Sequence, residues 1–351
     1  MIESRVAVRL WHPTGSPSCA ALAGEAAGSG AVKLFEHPDF EQAVLQATEH
    51  FRNRGLRPAF IEKDYYVTEV LRIIATDHGE KTIFKGGTSL SKGWNLIGRF
   101  SEDVDIFLDP QAFSPALGRH AIDRELKKVR DALDEHPALT FLKDGSRTTG
   151  GFGRSDRFVY AQRFGGAGEV SGQVLVETGT ASGREPTATV DLRSYLAIFL
   201  GDHGLSLGAE DEGGFPMRLL HFRRTFVEKM FAIHARVELL KREEWPLGSY
   251  ARHYYDLFHL AAEDEVVTML ASDEYAAIRA DYDTISRAHF PRSYIAPDEM
   301  SFAYSDALFP PADLAETIGA EYETQCRQLC FGGYPSWDSV QARLLEIRGL
   351  L

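Results

Sequence analysis

Within Phe84–Leu108, FKGGTSLSKGWNLIGRFSEDVDIFL, several residue types are spaced so that together they could handle a polyphosphate. Asp103 and Asp105 lie two apart. On a strand that spacing puts both carboxylates on one face and Val104, Ile106 and Leu108 on the other. Two such carboxylates repel unless a cation sits between them, and oxygen ligands shared with phosphates suit Mg²⁺, with Mn²⁺ as its substitute. Upstream, Gly86 and Gly87 interrupt a short apolar strand, TIFK. Lacking a Cβ, they let backbone N–H groups approach an anion. Thr88 and Ser89 are candidate N-caps of a short helix carrying Leu90, Trp94 and Ile97, whose N-terminus favours negative charge. Such a site could activate an attacking hydroxyl and steady a leaving pyrophosphate. A bare DxD or Gly-Gly pair is as often a solvated face or a turn. The order strand, Gly-Gly, short helix, strand with DxD carries the reading.

The elements that must position these residues are legible on both sides. Asp39–Arg54 reads as a helix ended by Gly55 and Pro58. Val67, Val70, Leu71 and Ile74 recur at helical spacing within IEKDYYVTEVLRII. Pro115–Glu135 reads as a helix, Asp144–Asp156 as a Gly- and Arg-rich loop, and Val174–Glu177 and Thr189–Leu192 as strands. The acidic, Gly-rich Gly208–Pro216 reads as a linker, with only helices after it. One later stripe is Phe226, Met230, Ile233, Val237 and Leu240; another is Tyr254, Leu257, Phe258 and Ala261. The expected class is α+β: a flexible Gly/Ala/Ser-rich leader over 1–32, a mixed-sheet domain over 33–212 and a helical domain over 213–351.

Composition narrows the function. The 351 residues are 44% hydrophobic and 25% charged, which is ordinary globular usage and excludes a disordered or fibrous chain. With 38 basic against 51 acidic residues the net charge is −13, so any nucleic-acid contact must use a local patch. Three cysteines, Cys19, Cys326 and Cys330, make no disulfide framework and fit a reducing cytosol; the last two are expected to be packing residues. The longest apolar run, near Tyr195–Leu200, is too short to span a membrane.

Three blocks, IEKDYYVTEVLR, FKGGTSLSKGWNLIGRFSEDVDI, and FVEKMFAIHAR followed by RHYYDLFHL, resemble the AbiEii/AbiGii toxin family of nucleotidyltransferases, which includes the MenT-type toxins. The resemblance implies a DNA polymerase beta-like nucleotidyltransferase fold in the first domain. It implies transfer of nucleotides from an NTP, with the 3′ end of tRNA as acceptor in the MenT-type members and translation as the target, and an antitoxin encoded alongside. By position it makes Asp103 and Asp105 the metal-binding pair. Gly86, Gly87, Thr88 and Ser89 fall to the nucleotide, as does Ser101, which precedes the pair in the SxDxD phrase. Lys229 and Asp256 are the functional lysine and aspartate of the later helices.

The residues add readings of their own. Lys229 follows Phe226 by three and precedes Ile233 by four, at the border of an apolar stripe, where it could aim its ammonium at a triphosphate or snorkel to water. Asp256 follows Arg252 by four; a salt bridge between them and orientation of Lys229 are both open. A third carboxylate, metal-binding and able to deprotonate the acceptor, is expected on a neighbouring strand. Glu177 and Asp191 both fit, and VLVETG resembles the family's phrase. Ser101 could equally serve a local turn. Lys85 and Lys92 flank the Gly-Gly turn and read as surface residues or phosphate contacts. Glu62, Lys63 and Asp64 could cap a helix start or, by the resemblance, line the cleft.

Seven basic residues over Arg223–Arg252, against four glutamates, leave a local charge of +3; with Arg147, Arg154 and Arg157 near Phe152 and Phe158 they are the candidate RNA surface. Two other functions fit the same residues: nucleotidylation of a protein hydroxyl, and NTP binding without catalysis in a regulatory complex.

Overall fold

The structure is a computed structural model that describes residues 32–101, 103–165 and 170–351. Apart from Val32, the expected leader lies outside the described residues, as does Cys19. In chain order come α1 (Phe40–His50), α2 (Pro58–His78), β1 (Thr82–Lys85), the one-turn α3 (Gly86–Thr88), β2 (Asp103–Leu108), α4 (Arg119–Asp134), β3 (Thr140–Thr149), β4 (Gly153–Val159), β5 (Gln173–Gly179), β6 (Thr187–Leu192), α5 (Tyr195–Asp202) and β7 (Phe215–Leu220). The rest is helical: α6 (Phe222–Glu243), α7 (Arg252–Leu260), α8 (Asp264–Leu270), α9 (Asp273–His289), α10 (Ala312–Leu329) and α11 (Trp337–Ile347).

The strands form one mixed sheet in the order β3-β4-β5-β2-β1-β7-β6. β2 lies at its centre, antiparallel to β1 and parallel to β5. Its alternation decides the register. Val104 and Ile106 are buried with α2 and Phe84 in one large core. Burying each such side chain is worth roughly 1.5–3 kcal/mol, and a slip by one residue would expose both. Asp103 and Asp105 are thereby forced onto the opposite face. A second large core gathers α6, α7, α10 and α11, with Phe226, Met230, Ile233, Val237, Tyr254, Leu257 and Ala261 inside it as the two stripes require. The architecture is α+β, a mixed sheet followed by helices.

Two expectations fail. Asp144–Asp156 is not a loop but most of the β3–β4 hairpin, turned by Gly150 and Gly151 at positive φ. β3 is an edge strand exposed along most of its length, so it lacks the apolar alternation that marks a half-buried strand. Phe215–Leu220, beyond the expected boundary at 212/213, is not helical. It is β7, paired parallel to β1 and antiparallel to β6, so the sheet draws on chain from both sides of that boundary. Phe215, Met217 and Leu219 alternate into the core, a signal that Pro216 and the apolar run into α6 obscure. No helix among the described residues is long and apolar enough to cross a membrane.

Candidate active site

The registers of three strands assemble a row of charges. Lys85 on β1 lies opposite Asp105 on β2, and Asp105 lies opposite Glu177 on β5. Ser155 on β4 continues the row, its hydroxyl 3.4 Å from Glu177 Oε1. Lys85, Asp105, Glu177 and Ser155 line one cleft of about 300 Å³. Asp103 shares the face, and Arg252 reaches it from α7, Nη2 to Oδ2 at 3.4 Å. Burial raises the Asp105 pKa above its ordinary value; Asp103 adds to the rise, while Lys85, Lys229 and Arg252 oppose it. Glu177 is raised as well, by burial first and then by Asp105 and Asp103. These carboxylates are crowded.

Asp191, the other candidate for the third carboxylate, sits on the edge strand β6 and pairs with Arg193 at 3.0 Å. Strands β7 and β1 separate it from β2. Geometry therefore brings Glu177, and not Asp191, beside the pair.

A second group lies behind the Gly-Gly turn. Asp256 is fully buried and takes a bidentate pair from Arg99, with both N···O distances 2.6 Å. Its Oδ2 also receives Lys229 Nζ at 2.7 Å. Burial works against its charge, but Arg99 and Lys229 hold its carboxyl well below the usual range. Burial lowers the Lys229 pKa despite Asp256, and burial with the Lys229 charge pushes His253 down to about 3, so a neutral imidazole accepts from Lys229 Nζ at 3.1 Å. Asp256 thus bonds Lys229 rather than its helical neighbour Arg252, which bonds Asp103.

The two glycines divide the work between these groups. Gly86 has φ +75°, and a Cβ there would lie 2.0 Å from Asp105 Oδ2. A Cβ on Gly87 would lie 2.7 Å from Arg99 Nη2. Thr88 donates its hydroxyl to the Asp103 carbonyl and so pins the turn to β2, while Ser89 donates to the Gly86 carbonyl and closes the turn on itself. Ser101 is buried behind Gly87 and lines a small interior cavity with Arg99 and Thr88, apart from the carboxylate cleft.

Other expectations fall away. Glu62 accepts from the Arg163 and Phe164 backbone, Lys63 donates to the Ser171 and Gln173 carbonyls, and Asp64 holds Lys92 and the Tyr195 backbone. These residues brace α2 and neither cap it nor reach the cleft; Lys92, in its ion pair with Asp64, is no surface residue. The basic run is largely consumed. Arg223 pairs with Glu265 and Glu274, Arg224 with Glu228 and Asp281, and Lys241 with Glu238 and Asp306. Arg154 is buried against Asp156. Cys326 and Cys330 are free thiols, the first buried.

Arg99 is a site residue that sequence reasoning did not single out, and Arg252, read there as a helical partner of Asp256 and as part of the basic run, instead reaches Asp103. Both stood in the quoted blocks. An arginine two before Ser101, in a strongly apolar context, was the available signal for a buried ion pair.

Among the described residues no group of three or more His, Cys, Asp or Glu side chains closes into a metal cage. The donor set still fits a hard divalent ion. Such ions usually take one or two carboxylates and complete their shell with phosphate and water oxygens, and the mutual repulsion here would be relieved by a cation.

Comparison with known families decides the class. The family model for the AbiEii nucleotidyltransferase toxin of type IV toxin–antitoxin systems matches residues 70–343. The chain belongs to the AbiEii family. It is a nucleotidyltransferase of the toxin–antitoxin class, a family that uses NTPs and divalent metals in general and implies an antitoxin partner. Among solved structures, the nucleotidyltransferase toxin MenT4 of Mycobacterium tuberculosis H37Rv aligns over 88% of this chain and 98% of its own at 17% identity, with a TM-score of 0.44. No curated protein matches this AbiEii member.

Proposed function

We propose that this AbiEii enzyme transfers nucleotides from an NTP to the 3′ end of tRNA in the cytosol, blocking translation until an antitoxin restrains it. The observation that supports this best is the register setting Glu177 opposite Asp105, with Asp103 on the same face and Gly86 pressed against it. Asp103 and Asp105, with Glu177 beside them, would hold Mg²⁺ or Mn²⁺, which when bound would neutralise charge at the reacting phosphates. The turn at Gly86–Thr88 would offer its backbone N–H groups to the triphosphate. Lys229 adds a point charge, fixed in place by Asp256, which Arg99 in turn fixes. The terminal hydroxyl gives its proton to Glu177 as its oxygen attacks the α-phosphorus. One P–O bond forms, the bond to the bridging oxygen breaks, and pyrophosphate leaves.

The test is to incubate the protein with Mg²⁺, total tRNA and each labelled NTP. At least one NTP should label tRNA, and Asp105→Ala should abolish both label and toxicity. If no NTP labels tRNA and Asp105→Ala inhibits growth as strongly as the parent, the reading is wrong. Label removed by protease and not by RNase would move the acceptor to a protein hydroxyl.

A further inference from the structure

The carboxylate cleft does not end at its charges. Its far wall is Phe152, from the β3–β4 hairpin, with His289 and Phe290 at the C-terminal end of α9. The Phe152 and His289 rings meet edge-on at 5.9 Å, and Arg119 lies over Phe152 at 5.2 Å. Phe290 also lines a second cavity of about 270 Å³. That cavity is lined by helices and loops alone, with no residue from the sheet. Its floor is the stacked pair Phe231 and Tyr282, ring centroids 4.5 Å apart. Its rim is Trp245 and Tyr250, with Arg236 set 5.8 Å and 5.4 Å from their ring centroids.

Three of these aromatics are far more open than a core would leave them: Trp245 is 50% exposed, Phe290 45% and Tyr250 41%. Burying such rings is favourable, so three together facing one groove mark a contact surface. Arg236 is held by the Pro246 carbonyl and so fixes its charge at the rim. A row of flat rings with one fixed cation is the chemistry that stacks successive bases of a single strand, and every base offers such a face.

Resting on the function proposed above, we propose that Phe290, Tyr250 and Trp245 form a stacking track that holds the unpaired terminal bases of the RNA acceptor and delivers its end to the Asp105–Glu177 cleft. The track explains how a chain of net charge −13, whose arginines are mostly tied in ion pairs, could grip RNA. Its grip comes from stacking and little from phosphate neutralisation, so affinity depends weakly on salt.

The experiment measures binding apart from transfer. The probe is a fluorescent eight-nucleotide single-stranded RNA of mixed sequence, titrated against the full chain in Mg²⁺-free buffer at several salt concentrations. The parent should bind, quenching its tryptophan fluorescence, and a Trp245→Phe variant should keep affinity while losing most of the quench. Tyr250→Ala and Trp245→Ala should each weaken binding about tenfold, and the pair more. NTP binding, followed by displacement of a fluorescent NTP analogue, should stay unchanged. Far-ultraviolet circular dichroism checks each fold; if an alanine variant is misfolded, Tyr250→Phe against Tyr250→Ser makes the same comparison. RNA affinity unchanged in the double alanine variant overturns the track while leaving nucleotide transfer intact. Failure of the parent to bind single-stranded RNA also overturns it. Failure of the transfer reading would show instead as RNA binding without label from any NTP.

Discussion

The Gly86–Gly87 turn separates two charge clusters built on opposite principles. In front of Gly86, Asp105 and Glu177 line one cleft with Asp103 on the same sheet face, and the pKa values of Asp105 and Glu177 rise. Behind Gly87, Arg99, Asp256 and Lys229 pair within 2.7 Å, out of solvent, and the Asp256 pKa falls. The rear cluster is complete without any ligand. The front one is not, and its excess negative charge is a form of stored repulsion that a metal–triphosphate complex can relieve. On the function proposed above, binding energy would be directed to the reacting centre, and Lys229 is held from behind by Asp256.

This contrast can be broken by experiment. The largest expected effect is on chemistry: Asp105→Asn should lower nucleotide transfer by about a thousandfold, or about 4 kcal/mol, in a pyrophosphate-release assay. The same variant should melt higher than the parent in metal-free buffer, because a repelling charge is gone; a lower midpoint would deny that the front cluster is strained. Asp256→Ala should do the reverse to stability. It leaves Arg99 and Lys229 as buried, unpaired cations, and should cost about 3–5 kcal/mol in urea unfolding at neutral pH. A loss under 1 kcal/mol would place the rear cluster in the same class as a surface pair.

Next come the glycines. Gly86→Ala forces a Cβ into Asp105 at a positive φ and should cut transfer about a hundredfold. Gly87→Ala must displace the end of the Arg99 side chain and should act mainly on stability. Equal effects on transfer would erase the division of labour between the two positions.

The smallest effects concern pH. Asp105 and Glu177 are raised acids, so their charged forms are disfavoured in the fold, and transfer should climb with pH above the usual carboxylate range. Folding stability should fall over the same window, since the folded state binds more protons there than the unfolded chain. Asp256 has a depressed pKa, so its contribution is present above the ordinary aspartate value and is lost only in stronger acid. Arg252→Ala removes a cation that lowers the Asp105 pKa and should move the acid limb of transfer to higher pH by a few tenths of a unit, read from a rate–pH profile. No movement would take Arg252 out of the site.

Legibility followed burial. β2 was readable because its apolar alternation must face a core, and α6 and α7 because their stripes recur at helical spacing. The β3–β4 hairpin was not, because an exposed edge strand carries no such alternation. The basic run looked like a surface for RNA, yet Arg223, Arg224 and Lys241 find acidic partners on other elements, which no local count of charge can foresee. Glu62, Lys63 and Asp64 likewise turned out to brace loops more than ninety residues away in sequence, or Lys92 beside the turn.

By itself the sequence determined that Asp103 and Asp105 share a face, that glycines precede them, and that Lys229 borders a buried stripe, because periods of two and of 3.6 residues are properties of the local backbone. Only the tertiary structure chose Glu177 over Asp191, gave Asp256 to Arg99 and Lys229, and sent Arg252 to Asp103. Those choices depend on which strand lies beside which and on how helices after residue 221 pack, and such long-range placement is set by the joint burial of many side chains rather than by any local pattern.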